Sequence, residues 1–76
     1  VRYRDETEAE AILRDAIERT ADEPVLYYAL SLSLIRQKRM PEARQAVVGA
    51  LRLAPDEPSY RELLRLMDES PGRATP

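Results

Sequence analysis

The chain contains no cysteine, histidine, tryptophan or phenylalanine, and a single lysine, Lys38, against eleven arginines. Without cysteine, neither disulfides nor thiolate metal sites can staple the fold. Without histidine there is no imidazole base, no Ser-His pair and no zinc site of the usual kind, so the expectation is no catalytic, cofactor or metal site. No apolar run approaches the eighteen or more residues that a membrane span needs, and no signal-peptide pattern opens the chain, so no membrane insertion is expected. Positive charge is not in surplus: twelve basic and fourteen acidic residues are mixed along the chain and give a net charge of -2. Nucleic-acid binding needs basic charge gathered on one face, and this balance excludes it. What remains is 76 residues, 43% of them hydrophobic. That is ample for a folded domain, although a chain this short buries only about 60% of its unfolded surface.

Pro24, Pro41, Pro55 and Pro58 punctuate the sequence, and the only glycines are Gly49 and Gly72. The segments between the prolines are poor in β-branched runs and read as helices. Over 6–20, Ala9, Ile12, Leu13, Ala16 and Ile17 recur at i, i+3, i+4, i+7 and i+8, one apolar helix face. Asp5, Glu6, Glu8 and Glu10 open that segment with the charge that a helix N-terminus favours. The segment over 25–37 is apolar on two faces: Leu26, Tyr27, Leu30 and Leu34 on one, Val25, Tyr28, Leu32 and Ile35 on the other. A third segment starts at Met40-Pro41-Glu42, turns Ala43, Val47, Ala50, Leu51 and Ala54 inward, and closes at Pro55. The fourth, over 59–69, offers Tyr60, Leu63, Leu64 and Met67. Residues 70–76 have no apolar anchor and are expected to form a flexible tail. Short connections between helices imply antiparallel neighbours.

Self-comparison organises these helices. Asp22-Glu23-Pro24 recurs as Asp56-Glu57-Pro58, thirty-four residues later, and Glu8-Ala9, Ala16, Leu30 and Leu32 recur at the same offset as Glu42-Ala43, Ala50, Leu64 and Leu66. Ten of the 42 comparable positions are identical, where composition alone gives about four. A two-helix unit with this period resembles the tetratricopeptide repeat. Tyr27 stands at the family's large aromatic, Leu30-Ser31 at the leucine and small residue after it, and Leu34 at the next large apolar site. Ala43 and Ala50 stand at the small residues of the second helix, and Pro55 at the terminating proline. Val47 departs from the pattern, since the family has a larger side chain there.

The resemblance implies an all-α fold of antiparallel helix pairs stacked as a solenoid. It divides the chain into a half-repeat over 1–23, a full repeat over 24–57, a capping half-repeat over 58–69 and the tail. The last helix departs most: Arg61, Arg65 and Asp68 replace an aromatic, a small and a large apolar residue, which reads as a polar cap. Beginning on Val rather than Met, the chain is expected to be a fragment of a longer array.

Little catalytic chemistry is available. The carboxylate pairs Asp5-Glu6, Asp22-Glu23, Asp56-Glu57 and Asp68-Glu69 are adjacent residues at helix ends, which point apart into water and do not face each other across a cleft. Ser31 and Ser33 have no base to activate them, and no phosphate or calcium loop is present. A DNA-reading helix-turn-helix with Arg61 and Arg65 as readers is opposed by Glu57, Glu62, Asp68 and Glu69 in the same region. The functional signal is the second stripe of the second helix. The resemblance implies that this face lines a ligand groove, here Val25, Tyr28, Leu32 and Ile35, with Arg36 near its end; Ser59, Glu62, Leu66 and Glu69 are the matching sites of the last helix. The family variant that clamps acidic peptide termini uses Lys and Asn where this chain has Tyr28, Ala29 and Leu32, so that ligand is disfavoured. The expected function is a protein–protein interaction module that presents a partly apolar groove to a peptide or partner helix. Two alternatives stand beside it: a structural self-associating or spacer segment, and a non-catalytic module appended to an enzyme.

Overall fold

The computed structural model describes residues 6–69. Four helices follow one another: α1 (Glu6–Arg19), α2 (Pro24–Arg36), α3 (Met40–Leu53) and α4 (Pro58–Asp68). Each lies within about two residues of the span that periodicity predicts, and the all-α expectation holds. The tail expected over 70–76 and the residues before Glu6 lie outside the described residues.

Three of the helices begin on proline in the first turn. There its missing N–H costs nothing and its fixed φ suits the helix. No side chain caps these three starts. The α2–α3 connection is the tightest, three residues long, and it closes as a Schellman motif: the Arg39 N–H donates to the Leu34 carbonyl and the Lys38 N–H to that of Ile35. Lys38 takes the left-handed conformation that glycine usually supplies, φ 63°.

Consecutive helices pack on one another, and the α2–α3 pair is the most extensive. Its centre is built from small residues. Ser31, Ala43 and Ala50 have no solvent exposure, so the two backbones approach closely. Gly49 serves the same packing: a methyl group there would stand 3.0 Å from the Tyr27 ring. Leu30 and Leu34 pack with Ala43 and Ala46, and Leu13 and Ile17 of α1 close over them. A second group, Val47, Ala50 and Tyr60, joins α3 to α4, with Tyr27, Leu63 and Leu64 around it. Met67 belongs to both groups.

Two sequence expectations are corrected by this packing. Ile12, placed with the inward face of α1, is 46% exposed, because no helix among the described residues lies opposite it. Glu10, grouped with the acids that suit the helix N-terminus, is 8% exposed and serves a tertiary contact instead. Its carboxylate accepts from Arg14 Nε at 2.8 Å, Gln37 Nε2 at 3.1 Å and Arg39 Nη1 at 2.6 Å. Arg39 also grips Glu42 through two nitrogens. The Schellman turn carries Gln37 and Arg39 to this carboxylate, so a polar joint ties α1 to the α2–α3 corner. Arg14, foremost, and then Gln37 and Arg39 hold the Glu10 carboxyl at about 2 in place of 4.5, against burial, which pushes it upward.

Candidate functional site

The seven residues singled out from the sequence lie on α2 and α4, and their surroundings differ. Val25, in the first turn of α2, is 55% exposed, and Leu66, in the last turns of α4, is 51% exposed. Both are large apolar side chains left half in water. Tyr28 is half-buried, and its ring meets that of Tyr60 with centroids 4.9 Å apart and planes tilted by 37°. Such a tilted pair contributes about 0.5–1.5 kcal/mol beyond its area, and it holds α2 beside α4. Burial pushes the Tyr60 hydroxyl upward, with Glu57 and Tyr28 adding to it, so the ring stays neutral at this contact. Ile35 is half-buried as well and packs on the Leu30–Leu34 group. Glu62 is exposed and paired with Arg65, which also holds Glu69.

Leu32 and Arg36 occupy different ground. Together with Ala29 and Ser33 of α2 and Glu6, Ala9 and Leu13 of α1, they line an open depression of about 310 Å³. The Ser33 hydroxyl, itself buried, lies 3.2 Å from the Glu6 carbonyl and 3.1 Å from its carboxylate, either of which accepts its proton. The Arg36 guanidinium stands 3.6 Å from the same carboxylate. One end of the depression is therefore ionic, and its floor, formed by Ala9, Leu13, Ala29 and Leu32, is apolar. The contribution of α1 to this surface was missed by reading α2 alone. Ile12, standing where the next unit has Ala46, is the sequence signal that could have revealed an open α1 face.

The two serines of α2 are structural. Ser31 donates to the Tyr28 carbonyl at 2.6 Å, as a helical serine does to the preceding turn, and Ser33 bridges to α1 as described. Among the described residues, no three acidic side chains converge as metal ligands would. No described helix is long and apolar enough to cross a membrane.

The first helix of the central pair thus carries Tyr27, Leu30, Ser31 and Leu34 on the side packed against α3, whose small residues receive them. A family model described as Tetratricopeptide repeat matches residues 3–67. The chain belongs to the tetratricopeptide repeat family. Repeats of this family serve as protein–protein interaction or scaffold modules and are typically non-catalytic. No curated protein and no solved structure gives a significant match to the chain.

Proposed function

We propose that this tetratricopeptide segment binds an apolar peptide or partner helix across the face shared by α2 and α4. Val25, Tyr28 and Ile35 would supply the apolar surface on α2, with Leu66 on α4 and Glu62 as a charge contact at that edge, and Leu32 and Arg36 would extend the surface to the depression beside α1. The observation that carries this reading is the exposure of Val25 and Leu66, 55% and 51%, on two helices held together by the Tyr28–Tyr60 contact. Leaving two large aliphatic side chains half in water on one small domain forgoes burial worth roughly 1 kcal/mol each. Joined through Leu32 and the half-buried Tyr28 into one apolar surface, they would form the kind of patch that serves interaction. Tyr28 and Ile35, seated against the core, would act as a stiff floor, and Val25, Leu32 and Leu66 as the adaptable contacts.

The test uses labelled amphipathic peptides with Leu or Ile at i, i+3, i+4 and i+7 and one acidic residue placed to meet Arg36, each beside its scrambled version. The apolar-faced peptides should bind more tightly than the scrambled ones. Val25→Glu and Leu66→Glu should each weaken that binding tenfold or more while leaving the helical circular dichroism unchanged. Equal binding of patterned and scrambled peptides would defeat the proposal, as would binding that survives both substitutions.

A further inference from the structure

The chain has two methionines and no cysteine, so Met40 and Met67 hold its only sulfur atoms. They belong to different helices, Met40 opening α3 and Met67 in the last turn of α4, and the fold brings them to one place. Together with Pro41 and Arg44 they line an open, largely apolar pocket of about 150 Å³. Both side chains are half-buried, and neither is enclosed. Met67 has a structural role that Met40 lacks. It packs on both core groups, that of Leu30, Leu34, Ala43 and Ala46 and that of Val47, Ala50 and Tyr60. An unbranched thioether suits the irregular gap between them. Of the consecutive helix contacts, α3 on α4 is the least extensive, so it depends on few side chains. An ion pair from Arg44 Nε to Asp68 Oδ1, 2.9 Å long, links the same two helices, but both side chains are about half exposed and the pair holds them weakly.

We infer that this methionine pair is an oxidative modification site, and that conversion of Met67 to its sulfoxide by hydrogen peroxide or a related hydroperoxide loosens α4 from the α2–α3 core. The sulfur lone pair attacks the terminal peroxide oxygen and the O–O bond breaks. The proton on the attacked oxygen passes to the departing one, which leaves as water or an alcohol. The sulfur is thereby oxidised, and the peroxide reduced, by the same electron pair. The product is a polar group with a strong acceptor oxygen, and such oxidation disrupts apolar packing. The aliphatic side chains of the core groups offer that oxygen no donor, so keeping it buried is costly. Arg44 lines the same pocket and is held by Asp68 through two nitrogens. The oxygen is satisfied by turning out to water or by drawing Arg44 from Asp68, and either movement weakens the seat of α4.

Met40 stands in neither core group, so its oxidation shares the chemistry without the consequence. Because α4 carries Tyr60 and Leu66, loosening it would also take apart the face shared by α2 and α4 and lower its affinity for a peptide. That further consequence rests on the peptide-binding reading; the effect of oxidation on α4 itself does not.

The test treats the 76-residue chain, Met40→Leu and Met67→Leu with hydrogen peroxide and compares each before and after by intact mass, thermal melting and amide hydrogen exchange. Leucine nearly keeps the volume of methionine and lacks the sulfur. The natural chain should gain one oxygen on each methionine, and its melting temperature should fall by about 5 °C or more. The added exchange should be concentrated in 58–68. Met40→Leu should lose as much as the natural chain, and Met67→Leu almost nothing. Methionine sulfoxide reductases for both sulfoxide epimers should restore the natural chain, a readout that does not depend on either variant. Met67 left unoxidised while N-acetylmethionine in the same tube is consumed overturns the inference. So does an oxidised chain with an unchanged melting temperature, or an equal loss in Met67→Leu. Loosening of α4 with unchanged affinity for an amphipathic peptide would uphold the modification site and count instead against the face shared by α2 and α4 as the place where peptides bind.

Discussion

The polar joint at Glu10 gives the sharpest quantitative test of this architecture. Glu10→Gln keeps the shape of the side chain and removes its charge. Lowering the carboxyl from 4.5 to about 2 corresponds to an upper limit of about 3 kcal/mol at neutral pH. Arg14 and Arg39 are 49% and 35% exposed, however, so solvent screens part of this. The amide oxygen of glutamine still accepts one of the three donors, and Arg39 keeps Glu42. The expected loss is therefore about 1–2 kcal/mol at pH 7, or roughly 5–15 °C in melting temperature for a domain of this size. The sign with pH follows from the lowered carboxyl. Its contribution is fully present above the unfolded value near 4.5 and disappears as pH falls through about 2. Thermal melts of the natural chain and of Glu10→Gln, run side by side from pH 7 to pH 2, should show a gap that is constant down to about pH 5 and then closes. Titration of the other carboxylates is common to both proteins and cancels in the difference, apart from coupling to Glu42 through Arg39. A gap of the same size at pH 2 and pH 7 would refute the electrostatic account and assign the loss to packing. No gap at pH 7 would show that the joint contributes nothing.

Two further substitutions test the helix register. Ala50 has no exposure and lies with Val47 and Tyr60. Ala50→Leu should overpack this crossing and cost roughly 1–3 kcal/mol, and an unchanged melting temperature would mean that no close approach occurs there. Leu30→Glu places an unpaired charge at a site 4% exposed and should abolish the folded state. Leu32→Glu, two residues along, introduces its charge at a half-buried site with Arg36 one turn further, and should stay folded at a cost below about 1 kcal/mol. If circular dichroism shows both variants unfolded, Leu32 is core and the face it shares with Val25 is not a free surface.

Much of the helical frame was determined by local chemistry, and for that reason it could be read directly. Proline in a first turn sets a helix start through its own φ, whatever packs nearby, and the apolar spacing of Leu30, Leu34, Ala43, Val47 and Ala50 fixes which sides of α2 and α3 must meet. The thirty-four-residue recurrence of Asp-Glu-Pro and of the small residues adds the order of the helices, because equal units stack in equal ways. Other features were decided only when distant segments met. Glu10 reads as one more acid at a helix start until the left-handed Lys38 swings Gln37 and Arg39, nearly thirty residues away, onto its carboxylate. Tyr28 reads as a groove residue by its place on the helix, yet Tyr60 arrives from α4 to cover one side of its ring. Ile12 reads as buried by its spacing, and it is exposed because a helix face is covered only where another element lies against it. Periodicity specifies the direction in which a side chain points from its own helix, and tertiary structure alone supplies the neighbour or the water that it meets.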